Sequence, residues 1–418
     1  MTRTEAPEHP TTTNRLSAGI VVAALAIAAA VTAVLVAAIA QPHPLWLIGP
    51  DFRVYHVAGS AVLHGISPYD VATVEGYPFT YPPFGAVVLS VLGLAGVPVA
   101  FAGWTFVNVL ALEAAIWLAL GLVAPRSRDR RAKVALLAAV AALPLAPVML
   151  NFTVGQINIL LLLLLVADLT RRTGRFQGVA IGIAAGIKLL PLIFIAYLLF
   201  TRRVRAAAVA SATFAATVLV GFLVLPGPSA RWAGGLVVDI GRMMTPGAAP
   251  FNQSIRGVLA HLPGVLSTQW FWLASAVPVG VAGLAVAAWA SRRGLEAVGI
   301  FTCAVTSLLV SPVSWPFHWV WAAPGLAVWL WWAWRRSAAH VAGAALTWLV
   351  LAASGVLTFV IAVGAPTQTS AGEVMAGTLT TVIVLNSLTV VAGIVFLAAL
   401  AVALRRAERR PGPLTSPS

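Results

Sequence analysis

The sequence predicts an all-α polytopic integral membrane protein. Of its 418 residues, 60% are hydrophobic and only 9% are charged, and the mean hydropathy is +0.94. A soluble domain carries roughly 25% charged residues, so this chain cannot cover a globular surface with charge and needs lipid as its solvent. Long apolar runs alternate with short basic clusters, and at roughly 20 residues per span they predict about 12 transmembrane helices with both termini in the cytoplasm.

The basic clusters set the predicted topology. A net charge of +14 would suggest a nucleic-acid partner in a soluble protein. Here the arginines lie between apolar runs, as the positive-inside rule expects, so the sequence predicts no nucleic-acid partner. The clusters assigned to the cytoplasmic face are Arg126 to Lys133, Arg171 to Arg175, Arg202 to Arg205, Arg292 to Arg293, Arg335 to Arg336 and Arg405 to Arg410.

The chain is predicted to form one transmembrane domain over residues 18–404. Residues 1–17 are polar and rich in Pro and Thr, which predicts a disordered cytoplasmic tail, and residues 405–418 form a second cytoplasmic tail. The apolar run 18–40 is too long for a signal-peptide core and is interpreted as a retained first span. The lone Cys303 excludes a disulfide within the chain.

Two stretches cannot be divided simply into transmembrane spans of ordinary length. Phe84 to Val123 is too long for one span and too short for two comfortable ones. Gly178 to Phe200 lies between two cytoplasmic clusters, and Pro191 in its middle predicts a hairpin of short helices. Broken helices survive at membrane depth only where they are buried in protein or face a cavity.

The first external loop, residues 41–83, is the most informative segment. It contains seven prolines, and between them Phe52 to His64 has apolar positions at helical spacing. This pattern predicts a short juxtamembrane helix that lies in the interface. The aromatic residues nearby suit the headgroup level of a bilayer.

Asp51 is the strongest candidate for a general base. It follows the first span directly and precedes the predicted interfacial helix, so the alternative is that it caps that helix. The other acidic residues assigned to the external side are Asp70, Glu75, Asp239 and Glu373, of which Asp70 has the sequence context of a turn.

Two polar clusters are predicted on the same external face. The segment Asn151 to Asn158 places three amides around a glycine, a set that binds sugar hydroxyls or caps helices. The second cluster contains Asn252, Gln253 and Arg256. An external arginine opposes the positive-inside bias, so it favours an anionic partner such as a phosphate, with a lipid headgroup as the alternative.

Two ionisable residues complete the candidate set. Lys188 lies inside the predicted hairpin, and an ionisable residue in a membrane segment is a functional candidate unless it reaches the interface by snorkelling. His318 lies at an external span end, where it is a ligand-binding candidate or an aromatic-belt residue. The sequence contains no metal-ligand spacing, no phosphate-binding glycine loop and no Gly-x-Ser-x-Gly motif, so it does not support ATP-driven transport or serine hydrolysis.

Together these motifs resemble the GT-C superfamily of lipid-linked-sugar glycosyltransferases, and more narrowly glycosyltransferase family 87. The resemblance covers most of the chain. The matching segments are Asp51-x-x-x-Tyr55-x-x-Ala58, Gly65-x-x-Pro68-Tyr69, Tyr81-Pro82-Pro83, Gly155-Gln156-x-Asn158, Lys188-x-x-Pro191 and Asn252-Gln253-Ser254.

The resemblance implies a function and a location. The expected reaction is inverting transfer of mannose from polyprenyl-phosphate-mannose to a phosphatidylinositol mannoside. It would form an α-1,2 linkage on the periplasmic side of an actinobacterial plasma membrane. Polyprenyl-phosphate arabinose remains an alternative donor, and a non-catalytic transporter or flippase for lipid-linked sugars remains an alternative class.

The resemblance also implies roles for individual residues. Asp51 would be the base and His318 an active-site residue. No metal is expected, because members of the superfamily that use one have further acidic ligands in the first external loop and the next, and the segment Asn151 to Asn158 contains no carboxylate. The lipid-linked donor implies no nucleotide or other cofactor. The residues expected to bind substrate are Tyr55, Tyr81, Gln156, Asn158, Lys188, Asn252, Gln253 and Arg256.

Overall fold

The computed structural model confirms the all-α class for the part of the chain that it describes. Its regular elements are helices and helical turns, apart from one isolated bridge between Ala72 and Pro78. The predicted N-terminal tail, the start of the first external loop and the end of the C-terminal tail lie largely outside the described residues. The described residues are 16–39, 49–124, 127–171, 174–243, 251–364 and 371–409.

The described helices make the chain a multi-pass membrane protein. Five are long and apolar enough to cross a bilayer, and a pair bent by 77° would make a sixth. The five spans are Ala18–Ala37, Val97–Leu120, Val204–Val224, Gln269–Arg292 and Ile383–Glu408, and the bent pair is Arg128–Ala142 with Ala146–Val154.

The predicted interfacial helix is present. Helix α1 spans Ala18–Ile39, and helix α2 spans Pro50–Leu63. Proline suits the first turn of α2 because its missing N–H would be unpaired there in any case. One face of α2, which includes Phe52 and Tyr55, is buried. The predicted capping role of Asp51 is wrong: the N-cap is Gly49, and it makes no side-chain cap hydrogen bond.

The long stretch 84–123 contains one span and one short helix. Helix α3, Pro83–Leu89, continues as a 3₁₀ turn over Ser90–Leu94, and helix α4, Val97–Leu120, then forms the span. The Ala95–Gly96 link separates them. This arrangement explains why the stretch fits neither one span nor two.

A glycine turn fastens α2 to the next helices. Helices α5, Arg128–Ala142, and α6, Ala146–Val154, precede the turn, and α7, Asn158–Leu169, follows it. Gly155 in the turn has φ +74°, and a Cβ there would lie 2.5 Å from the Phe52 Cβ. Glycine alone permits both the left-handed backbone and this close approach.

The predicted break in the stretch 178–200 is observed. Helix α8, Val179–Ile187, ends at Lys188, and helix α9, Ile193–Phe200, follows a 3₁₀ turn. The start of α8 is fixed by Asp168, which accepts hydrogen bonds from the backbone N–H groups of Gly178, Ala180 and Ile181. Asp168, which lies next to an arginine cluster in the sequence, therefore stabilises a helix N-terminus.

The remaining helices complete the bundle. The second half of the chain also contains a π-helical turn, Trp232–Leu236, and 3₁₀ turns at Ile240–Met243, Gly264–Ser267 and Pro316–Trp321. Its helices are α10 Val204–Val224, α11 Pro226–Arg231, α12 Ile255–Leu259, α13 Gln269–Arg292, α14 Glu296–Val310, α15 Ala322–Ala333, α16 Ala338–Gly364 and α17 Ala371–Arg409.

Candidate active site

A cavity of about 700 Å³ lies where the predicted site segments meet. Its wall is formed by the start of α2, the loop before α3, the turn after α6, the break between α8 and α9, parts of the segment 232–242, and the end of α14 with the loop before α15. Six of the predicted site residues line it: Asp51, Tyr55, Tyr81, Gln156, Lys188 and His318.

Gln156 holds the Asp51 carboxylate in place. Its Nε2 donates to Asp51 Oδ2 at 2.8 Å. Its Oε1 lies 2.8 Å from the Tyr55 hydroxyl and 3.1 Å from the Tyr81 hydroxyl, and it also accepts from the Ile157 N–H at 3.3 Å. A carbonyl oxygen only accepts, so these donors keep the NH₂ group turned towards Asp51.

The local backbone brings Asp51 and Gln156 together. The Gly49 N–H donates to the Thr153 carbonyl at 2.7 Å, which fastens the start of α2 to the end of α6. The Asn151 side chain donates to the Gln156 carbonyl at 3.1 Å and steadies the turn that carries the amide. Two amides of the predicted sugar-binding cluster therefore support the base.

The position of Asp51 makes it a stronger base than an exposed aspartate. Burial raises its pKa from 3.8 to about 6, although the Gln156 hydrogen bond and the Lys188 charge oppose the shift. The carboxylate is thus ionised at neutral pH, and its affinity for a proton is higher than that of a solvated carboxylate. A general base works best when its pKa approaches the operating pH.

Lys188 contacts residues from two other segments of the site. Its Nζ donates to Asn158 Oδ1 at 2.9 Å and lies 3.0 Å from His318 Nε2. The same nitrogen stands 4.9 Å from the centre of the Tyr81 ring. Lys188 lies at the break in the helix, and it lines the cavity together with residues 189 and 190.

His318 is held in a fixed orientation. The Trp315 N–H donates to its Nδ1 at 3.1 Å, which leaves Nε2 directed at Lys188. Burial, and secondly the Lys188 charge, keep the pKa of His318 well below its usual range. The ring is therefore neutral at pH 7 and serves this site as a hydrogen-bonding group.

The predicted cluster at Asn252 lies behind the cavity wall. Asn252 accepts from the Ser314 N–H at 2.8 Å and donates to the Pro312 carbonyl at 3.0 Å, and the Gln253 N–H donates to the Ser314 carbonyl at 2.6 Å. These bonds shape the loop that carries Pro312 and Trp315 into the wall. The structure does not bring Asn252, Gln253 or Arg256 into the cavity lining.

Arg256 occupies a separate environment. Its guanidinium carbon lies 5.4 Å from the centre of the Trp272 ring. Asn158, also a predicted binding residue, contacts the site through Lys188 and donates to the Phe317 carbonyl at 3.2 Å. Of the two cations predicted to face a phosphate, Lys188 is the one in the cavity lining.

Two of the other carboxylates that were predicted to be external are paired outside the cavity. Asp70 forms an ion pair with Arg231 at 2.5 Å, and Glu75 forms one with Arg53 at 3.2 Å. Among the described lining residues, Asp51 is the single carboxylate. Within the described ranges no three His, Cys, Asp or Glu side chains come together in a way that could hold a metal ion.

Arg242 is a lining residue that the sequence did not single out as a site residue. Its only sequence signal is that it is one of four arginines on the predicted external side. The 3₁₀ turn Ile240–Met243 presents it to the cavity, and a turn this short has no periodic pattern in the sequence.

The chain is similar to known glycosyltransferases. Residues 79–312 match the model of glycosyltransferase family 87. A Mycobacterium tuberculosis protein named polyprenol-phosphate-mannose-dependent alpha-(1-2)-phosphatidylinositol mannoside mannosyltransferase is 33% identical over 325 residues, which cover 72% of this chain and 74% of the relative. No solved structure matches the chain.

Two further relatives carry a related name, polyprenol-phosphate-mannose-dependent alpha-(1-2)-phosphatidylinositol pentamannoside mannosyltransferase. The one from M. tuberculosis is 33% identical over 287 residues, 67% of this chain and 65% of the relative. The one from Mycolicibacterium smegmatis is 33% identical over 289 residues, 67% of this chain and 68% of the relative.

Proposed function

Because the chain belongs to glycosyltransferase family 87, we propose that it transfers mannose from polyprenol-phosphate-mannose to a phosphatidylinositol mannoside and forms an α-1,2 linkage. The observation that carries this proposal is one cavity lined by both a half-buried carboxylate, Asp51, and a lysine, Lys188. A glycosyl phosphate donor needs both: a base for the attacking hydroxyl and a cation for the leaving phosphate.

The reaction follows from these positions. Asp51 takes the proton from the acceptor 2-hydroxyl while that oxygen attacks the anomeric carbon of the donor. The bond from the anomeric carbon to the phosphate oxygen breaks, and its electron pair leaves with the polyprenyl phosphate. A β-linked donor and an α-linked product require inversion in a single displacement.

Lys188 and His318 would face the leaving group. Negative charge grows on the phosphate as its bond to the sugar breaks, and a cation positioned beforehand stabilises that charge most in the transition state. His318, held by the Trp315 N–H, adds a neutral hydrogen-bonding group beside Lys188. No nucleotide or ATP enters this scheme.

The proposal includes a membrane topology and independence from metal. We place the cavity on the periplasmic side of the plasma membrane, with about 12 spans in total. The arginine clusters support this topology because positive-inside bias puts them in the cytoplasm. The segment Asn151 to Asn158 offers no carboxylate ligand, so transfer should continue in EDTA.

A reconstitution assay tests the function. The purified full chain in lipid nanodiscs would receive polyprenol-phosphate-[¹⁴C]mannose and a phosphatidylinositol mannoside, and mass spectrometry would detect a gain of one hexose. Use of polyprenyl-phosphate arabinose with a gain of one pentose would replace the mannosyl assignment. In sealed proteoliposomes, movement of labelled donor across the bilayer without any new glycosidic bond would replace the enzyme by a transporter.

A further inference from the structure

Four arginines lie on the predicted external side of the chain, and their partners differ. Arg53 and Arg231 form ion pairs with Glu75 and Asp70. Arg256 stacks on Trp272 outside the cavity lining. Arg242 alone among these four lines the cavity. No ion pair joins it to a carboxylate of the described residues, although its charge acts on Asp70 and, after the Arg231 hydrogen bond, helps to lower the pKa of that carboxyl.

Arg242 is anchored to a rigid part of the site. Its Nη2 donates to the Phe79 carbonyl at 3.2 Å, and its guanidinium carbon lies 5.5 Å from the centre of the Tyr69 ring. Phe79 is 1% exposed and Tyr69 is 7% exposed, so the anchor is part of the core. A guanidinium carries five N–H donors, so this anchoring leaves several of them for a ligand.

The anchor also connects Arg242 to the catalytic cluster. Tyr69 donates its hydroxyl hydrogen to the Tyr81 carbonyl at 2.8 Å, and the Tyr81 side chain contacts Gln156. Arg242 and Lys188 are therefore two cations in the wall of one cavity, supported by the same loop. The remaining wall is mainly apolar, which strengthens electrostatic attraction to an anion inside it.

The proposed reaction brings two phosphodiesters to this cavity. The donor phosphate must lie at the reacting carbon, which is the place of Lys188 beside Asp51. The acceptor phosphate is separated from the reacting hydroxyl by inositol and mannose rings, so it needs a second cation away from the base. Arginine suits a phosphodiester because its planar fork donates to two oxygens at once.

We propose that Arg242 forms a second anion subsite that binds the phosphodiester of the lipid acceptor. This inference rests on the proposed function, because it needs an acceptor that carries a phosphate. The Arg242 guanidinium would then contribute to acceptor selection. A glycolipid with an anionic headgroup gains a contact that a neutral glycolipid cannot make.

Steady-state kinetics of the full chain in nanodiscs of neutral phosphatidylcholine test the inference. The wild type, Arg242→Gln and Arg242→Lys would each be titrated with the acceptor and, separately, with the donor. A hydrogen-bonded charge pair contributes about 1.5–3 kcal/mol, so Arg242→Gln should raise the acceptor KM about 10- to 100-fold. The kcat and the donor KM should stay within about twofold, and Arg242→Lys should be intermediate.

Arg231→Gln is the matched control. Arg231 lies on the same predicted external surface but is paired with Asp70, so its acceptor KM should remain that of the wild type. An unchanged acceptor KM in Arg242→Gln, or an equal rise in Arg231→Gln, would overturn the inference. A rise in the donor KM alone would assign the anion to the donor phosphate and overturn the acceptor assignment.

The design separates this inference from the proposed function. If the wild type transfers no mannose, the proposed function fails before any variant is compared. If the wild type is active and Arg242→Gln is folded but has an unchanged acceptor KM, only the subsite fails. Size-exclusion profiles of all variants would show that the compared proteins are folded.

Discussion

Asp51 Oδ2 accepts a 2.8 Å hydrogen bond from Gln156 Nε2, across 105 positions of sequence. Because the amide oxygen of Gln156 is surrounded by hydrogen-bond donors, the amide cannot turn over without losing them. One carboxylate oxygen is thus held, and the other is left for an acceptor hydroxyl. Four predictions follow from this pair and its neighbours.

Substitution of the base should abolish transfer. Asp51→Asn keeps the shape and the hydrogen bonding of the side chain but removes proton affinity, so kcat should fall by about 10²- to 10⁴-fold. Expression and the size-exclusion profile should be unchanged. Asp70→Asn is the matched control because Asp70 is exposed and paired with Arg231, and it should transfer mannose at close to the wild-type rate. Near-normal turnover by Asp51→Asn would remove Asp51 as the base.

The acid limb of the pH profile should lie near pH 6. The pKa of Asp51 is raised from 3.8 to about 6 by burial. The active, ionised form therefore predominates above that pH and is lost as the pH falls through it. A plot of log kcat/KM against pH should bend near 6 and fall about tenfold per pH unit below it. A profile that stays flat down to pH 4.5 would contradict this assignment.

Removal of the Gln156 amide should move the acid limb of the pH profile to a higher pH. The hydrogen bond from Gln156 lowers the pKa of Asp51 against the larger effect of burial, so Gln156→Leu should raise the pKa further. The bend in log kcat/KM should shift to a higher pH. Gln156→Asn, which keeps an amide on a shorter side chain, is the conservative comparison. A uniform loss of rate with an unmoved limb would mean that Gln156 has only a structural role.

Substitution of the two candidate phosphate-binding cations, Lys188 and Arg256, should reduce kcat to different extents. Lys188→Gln removes the cation that faces the cavity, and loss of one such stabilising group costs about 10²- to 10³-fold in kcat. Arg256→Gln removes a cation that stacks on Trp272 outside the lining, so its loss in kcat should be much smaller. Initial rates at saturating donor and acceptor measure both. Equal losses would show that the phosphate contacts Arg256 as well.

Much of the fold was readable from local sequence patterns. Composition and the spacing of basic clusters predicted an all-α membrane protein, because hydropathy reports the solvent of each segment directly. The helix at Pro50–Leu63 and the break at Lys188 followed from periodicity and from Pro191. Such signals depend on neighbours within a few residues, which is why they survive without tertiary information.

The side-chain partners were not readable in the same way. Asp51 has the local context of a helix cap, yet its carboxylate reaches Gln156 because Gly155 lets α2 and α6 approach closely. Asn252 has the context of a ligand-binding amide, yet it holds the loop at Ser314. These outcomes depend on how helices far apart in sequence cross and pack.

The sequence by itself determined that this chain is an all-α membrane protein and where several of its helices lie, since hydropathy and periodicity act locally. Tertiary structure alone decided that Asp51 and Lys188 face one cavity, that Asn252 stands behind it and that Arg242 enters it. The physical reason is that a hydrogen bond or a charge pair forms over about 3 Å. Only the packing of the helices brings distant residues that close.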